Sequence, residues 1–184
     1  RPTETPTPEP TSTTAAPEPL TGDQVSLVGD SVSLASAPAL EASLPGIAID
    51  AQVSRSFYAG LETLQAMDAE YGPRPYVVVA LATNGEVLGD QIQALLDYLG
   101  PGRKLVLVTG FGPARTTWIP GANQTIRDFA AAHPDQVAVA DWEAAIAAHP
   151  DLLYDDQIHP LPEGGDLYAQ TVADAIASLK RQPS

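Results

Sequence analysis

The chain has 184 residues, 44% of them hydrophobic and 17% charged, with a formal net charge of −14 and no cysteine. So acidic a surface is repelled by phosphate backbones, which argues against nucleic acid and anionic membrane surfaces as partners. The absence of cysteine excludes disulfides and thiolate metal sites, and no apolar run approaches the roughly 18 to 20 residues that span a bilayer.

Residues 1–22 hold six Pro and seven Thr and almost nothing large and apolar. Such a segment buries too little surface to offset the entropy of ordering, so it is predicted to be a disordered tether. Residues 23–184 suit one compact domain, expected to act as a monomer. No signal-peptide pattern opens the chain. An N-terminal Arg without Met, followed at once by a Pro/Thr-rich stretch, suggests a piece of something longer, because such linkers commonly join an anchored part to a working domain.

From residue 24 onward, strand-length runs rich in Val and Ile ("QVSLVG", "GIAIDA", "PYVVVALA", "KLVLVTG", "QVAVAD") alternate with stretches of helical period. Phe57, Leu61, Leu64, Met67 and Tyr71 form one apolar stripe, Ile92, Leu95, Leu96 and Leu99 a second, and Tyr168, Val172, Ile176 and Leu179 a third, all read as core packing. Strands apolar on both faces and separated by helices imply an α/β domain of three layers, α/β/α, around a parallel sheet of about five strands. His133 and His149, each in an "AAHPD" context, are read as helix C-terminal residues.

Ligands of such sheets bind outside the carboxyl ends of the strands, so the residues just after each run carry the functional information. After the first run stand Gly29, Asp30 and Ser31; after the second, Asp50 and then "QVSR"; after the third, Thr83, Asn84 and Gly85; after the fourth, Thr109 to Pro113. The last loop, "DLLYDDQIHPLPEGG", holds Asp156 and His159 three residues apart. Acyl transfer through serine needs a base, an acid that fixes the tautomer of that base, and donors for the oxyanion. Ser31, His159, Asp156 and Asn84 supply these roles. Each also has a structural alternative: Ser31 as a helix cap, Asn84 as a turn residue, "DDQIHP" as a capping loop, and Asp30, Asp156 and His159 together as divalent-metal ligands.

The order "GDS", "TNG", "DQIHP" resembles the SGNH (GDSL-type) hydrolase superfamily, which implies a flavodoxin-like α/β/α fold. More narrowly, "LVGDSVSL", "IDAQVSRSF", "VVVALATNG", "LVTGFGPARTTWIPGANQTI", "VADWEAA" and "YDDQIHPLPEGGDLYA" resemble the extracytoplasmic domain that follows an acyltransferase-3 membrane domain in peptidoglycan O-acetyltransferases of the OatA type. The likeness runs over residues 25–179 and implies Ser31 as nucleophile, His159 as general base and Asp156 as its orienting acid. It implies oxyanion donors at the Ser31 backbone and the Asn84 side chain. The third donor position departs from the family pattern, with Ser54 before Arg55 where glycine is usual, and "ATNG" stands where "GTNG" is often seen.

The resemblance further implies transfer of an acyl group, most often acetyl, to a cell-envelope glycan, typically the C6 hydroxyl of N-acetylmuramic acid. The donor would come from a membrane domain outside this chain, tethering the protein at the extracellular face, with no cofactor and no metal. A carbohydrate O-acetylesterase with the same triad and a catalytically silent glycan-binding module are the alternatives. Phe111, Trp118 and Tyr154, in loops at the expected active rim, are candidates for stacking on sugar or for pinning their loops to the core.

Overall fold

The computed structural model describes residues 19–182. The five apolar runs become strands β1 (Val25–Gly29), β2 (Ala48–Ala51), β3 (Tyr76–Ala80), β4 (Lys104–Val108) and β5 (Val137–Ala140), all parallel, in the order β2-β1-β3-β4-β5. Between and after them lie α1 (Ser31–Ser43), α2 (Gly60–Tyr71), α3 (Gly89–Leu99), α4 (Ile119–Ala132), α5 (Trp142–Ala147) and α6 (Pro162–Lys180). Successive strand residues point to opposite faces, so β3 sends Val78 and Ala80 to one layer and Val77 and Val79 to the other. On the first face Leu27, Val78 and Val106 meet Leu40 of α1 and Tyr168, Val172 and Ile176 of α6. On the second, Val28, Val79 and Leu107 meet Leu64, Met67, Ile92, Leu95 and Ile126 of α2, α3 and α4. This is the predicted three-layer α/β/α architecture.

The sheet reverses its order of addition between β1 and β3, and at that point two neighbouring strands feed helices to opposite faces and leave a crevice beyond their carboxyl ends. Ser31 follows one of those strands and Asn84 the other.

Three expectations need correcting. The tether was assigned residues 1–22. Residues 1–18 lie outside the described residues, as do the last two of the expected domain, but Leu20 packs against the α1/α6 core and Thr21 precedes a 3-10 turn at Gly22–Gln24. Ordered chain therefore begins before residue 23. Tyr71 leaves its apolar stripe because α2 ends there; the residue is 47% exposed, with the Arg74 guanidinium 5.5 Å from its ring centroid. His149 lies beyond the last residue of α5, whereas His133 does close α4, its Nδ1 2.9 Å from the Phe129 carbonyl.

Candidate active site

β1 ends in glycine because the chain turns back on itself there: a Cβ on Gly29 would lie 2.3 Å from Ser33 Oγ. The next residue, Asp30, is the N-cap of α1, its Oδ1 accepting from the Val32 amide at 2.9 Å. Ser31 is thus the first helical residue and Asp30 the cap, which corrects the alternative that made Ser31 the cap. Its own N–H stands at the positive end of the α1 dipole.

The hydroxyl of Ser31 lies 2.8 Å from His159 Nε2, and His159 Nδ1 lies 2.6 Å from Asp156 Oδ2. The loop that carries the pair is built locally. Asp156 Oδ1 accepts from the amides of Ile158 and His159 at 2.9 and 3.0 Å, the Tyr154 amide donates to the His159 carbonyl, and Leu153 pairs antiparallel with Pro160. Gln157 closes the turn in the left-handed region, at φ 61°. Burial works against ionisation of Asp156, but the hydrogen bonds from the His159 ring and from the two amides prevail and bring its pKa down to about 2. A carboxylate held ionised against Nδ1 leaves Nε2 free to accept the serine proton.

The donors expected for an oxyanion lie at three strand ends. Ser54, in the loop after β2, sits at φ 63°, a left-handed conformation that explains why glycine is usual there. The strain of roughly 1–2 kcal/mol is comparable to what burial of one Val or Leu side chain contributes, so the fold tolerates it. The same loop is tied to β1: the Gln52 amide donates to the Gly29 carbonyl at 3.1 Å, and Arg55 Nη1 donates to the carbonyls of Gly29 and Asp50 at 3.2 and 2.7 Å. Arg55 Nη2 also pairs with Asp50 Oδ1 at 2.9 Å. The Arg55 carbonyl in turn accepts from Asn84 Nδ2 at 3.1 Å. One N–H of the Asn84 amide is spent on this tie and the second remains to donate. Arg55 therefore links the Ser31 turn, the Ser54 loop and Asn84, a role the sequence reading missed. An arginine inside a strand-end block of so acidic a chain was the available signal.

Trp118 donates its indole N–H to the Thr83 carbonyl at 2.8 Å, which props the loop carrying Asn84 and leaves the residue 37% exposed. Tyr154 is exposed and lines a cavity of about 480 Å³ with Pro38, Pro160 and Pro162. Phe111 is partly buried and packs against the α1/α6 core, as the pinning alternative expects. Arg115, which the sequence reading also passed over, reaches the Asp156 carbonyl through Nη2 at 3.4 Å. The metal alternative finds no converging ligands: Asp156 is committed to His159, Asp30 is 1% exposed beneath the turn, and among the described residues no three His, Asp or Glu side chains gather.

No family model matches the chain. Among solved structures, the C-terminal catalytic domain of peptidoglycan O-acetyltransferase A (OatA) from Streptococcus pneumoniae, seen with a methylsulfonyl adduct, superposes with a TM-score of 0.77 at 27% identity, covering 86% of this chain and 95% of that one. A candidate SGNH hydrolase from Slackia heliotrinireducens superposes with a TM-score of 0.66 at 18% identity, covering 83% and 97%. The chain carries the SGNH hydrolase fold. It is also 27% identical, over 139 residues, to YrhL of Bacillus subtilis, a candidate peptidoglycan O-acetyltransferase; the match covers 76% of this chain and 21% of YrhL. The chain thus spans about a fifth of that relative. The resemblance to OatA-type catalytic domains holds in both sequence and structure.

Proposed function

We propose that the chain is the catalytic domain of a serine-dependent O-acyltransferase. It would carry an acetyl group, through an acyl-enzyme on Ser31, to a carbohydrate hydroxyl of the cell envelope, the C6 hydroxyl of N-acetylmuramic acid in peptidoglycan. The observation that carries this reading is the unbroken contact from Ser31 through His159 to Asp156 at the switch point, in a domain similar to that of OatA.

In the first half-reaction His159 Nε2 takes the proton of Ser31 Oγ as that oxygen bonds to the acyl carbonyl carbon. The bond to the donor oxygen then breaks, and His159 returns the proton to it. In the second half-reaction the acceptor hydroxyl gives its proton to His159 while attacking the acyl-serine, and Ser31 Oγ recovers a proton as it leaves. Asp156 holds Nδ1 protonated throughout. Each tetrahedral oxyanion is received by the N–H of Ser31, the free N–H of the Asn84 amide and the N–H of Ser54, aided by the start of α1. Trp118 and Tyr154 offer exposed aromatic faces to the sugars.

In this reading the described fold is the working domain and the Pro/Thr-rich stretch before it a tether. The acyl group arrives from a membrane acyltransferase-3 domain outside the chain, and the domain works outside the cell as a monomer. No helix among the described residues is long and apolar enough to cross a membrane.

Turnover of an activated acetyl ester with and without a muramyl oligosaccharide tests the proposal, with mass spectrometry of the glycan. Acetylated glycan, formed at the expense of free acetate, is expected. Acetate alone, at a rate indifferent to the glycan, would make the protein an esterase. No turnover and no covalent adduct at Ser31 would leave the glycan-binding module.

A further inference from the structure

Directly beneath the nucleophile turn lies a cavity of about 10 Å³ bordered by Asp30, Thr83, Thr109, Trp142 and Tyr168. Two of the side chains on it are almost wholly buried and each has an atom with nothing to bond to. Asp30 Oδ2 has no hydrogen-bond partner, although Oδ1 of the same carboxyl caps α1, and Trp142 Nε1 has none either. These residues are 1% and 2% exposed. A buried carboxyl oxygen and a buried indole N–H left unsatisfied would each cost on the order of 1–3 kcal/mol, so two of them on one small space call for a common partner.

That partner must accept from the indole and donate to the carboxylate. A cation cannot accept a hydrogen bond, an anion would be repelled by Asp30, and a space of this size admits one molecule of water size. We propose that the cavity is a binding site for a single water that accepts from Trp142 Nε1 and donates to Asp30 Oδ2, and that Asp30, so held at both oxygens, is a positioning residue for Ser31. The second proton of the water faces the hydroxyls of Thr83 and Thr109. Thr109 Oγ1 already donates to Asp141 Oδ1 and receives the Glu143 amide, which leaves Thr83, on the same cavity, as the natural acceptor.

The consequence for chemistry, which rests on the acyl-transfer reading, is geometric. Asp30 sets the first turn of α1 through the Val32 amide and leaves the Ser31 N–H unclaimed, so a carboxyl anchored on both sides keeps the hydroxyl aligned with His159 and the N–H aimed at the oxyanion. A misplacement of about 1 Å at such a point costs up to roughly a hundredfold in rate.

The test has two arms. A crystal structure of the full chain is expected to hold a water within hydrogen-bond distance of both Asp30 Oδ2 and Trp142 Nε1; a dry cavity, or a direct bond between the two side chains, would overturn the site. Trp142→Phe, which keeps an aromatic ring but removes the donor, is expected to lower kcat on an activated acetyl ester about tenfold to a hundredfold, with KM within about twofold. Unchanged kcat beside an observed water would overturn the positioning role. If the wild-type chain turns over no ester at all, the acyl-transfer reading fails, while the density still decides the water; the density also decides it should the phenylalanine variant not fold.

Discussion

The two halves of the active site are built in opposite ways. The proton-relay half is local: Asp156, Gln157, Ile158 and His159 form one turn whose own hydrogen bonds close within a few residues, and its long-range contacts are those of Nε2 with Ser31 and of the Asp156 carbonyl with Arg115. The half proposed to receive the oxyanion is tertiary, bringing together the start of α1, a loop after β2 and a loop after β3 through Arg55. The first half holds its shape through its own backbone. The second depends on the sheet order that sets β1 between β2 and β3, so damage to it should spread between loops.

The relay half should break most sharply. Asp156→Asn keeps the shape but no longer holds Nδ1 protonated, and is expected to lower kcat by about 10⁴ while lowering the melting temperature by no more than a few degrees. A loss below tenfold would mean that the acid is a capping residue alone. In the oxyanion half, Asn84→Ala should lower kcat by roughly 10² to 10³ with KM nearly unchanged, because its bond strengthens in the transition state. Near-normal activity with a lowered melting temperature would instead return Asn84 to the role of a turn residue.

Acid sharpens the contrast in another way. Burial raises the Asp30 pKa to about 6; the Val32 amide and the Thr83 hydroxyl pull against it, as does the charge of His159, and Tyr168 is the other titratable group facing it. A carboxyl raised from 3.8 favours the folded state while protonated, so its contribution is complete below about pH 4 and is lost as pH rises through about 6. Melting scans should therefore show the stability of the wild type relative to Asp30→Asn falling, by on the order of 2–3 kcal/mol, between pH 4 and pH 7. Asp156 has the reverse sign: its contribution is present above about pH 4 and is lost only as pH falls through about 2, outside that window. A pH-independent difference would mean that Asp30 ionises without penalty.

The smallest effect belongs to Ser54→Gly. Relief of the left-handed backbone, partly offset by the extra freedom of glycine in the unfolded chain, should stabilise the protein by about 0.5–1 kcal/mol and leave kcat at or above the wild-type value. A clear loss of activity would show that the Ser54 hydroxyl makes a contact of its own.

The same division explains what could be read from the sequence. Five β-branched runs separated by helical stripes specified the layers, and an Asp and a His three residues apart in a Pro-flanked loop specified the relay, because both are local patterns. Asn84 was legible as a strand-end residue and resemblance supplied Ser54, but the fastening of their loops by Arg55 was hidden, since it joins residues 26 and 29 positions apart. Tyr71 was misjudged, and Phe111 left open between two roles, for a related reason. Whether an aromatic ring at a loop or a helix end turns inward depends on where the chain goes next, as at Gly72, where α2 stops and Tyr71 emerges. The cavity beneath Asp30 needed the ends of β1, β3 and β4 and the start of α5 in one place, which no single stretch announces.

The central claim is that Ser31 carries the acyl group. Mass spectrometry of the protein, quenched during turnover of an activated acetyl ester, tests it most directly. The peptide containing Ser31 should carry one acetyl group in the wild type and none in Ser31→Ala, which should also lose several orders of magnitude in rate. An acetyl group on another residue, or a Ser31→Ala variant that keeps a tenth of the activity, would contradict it.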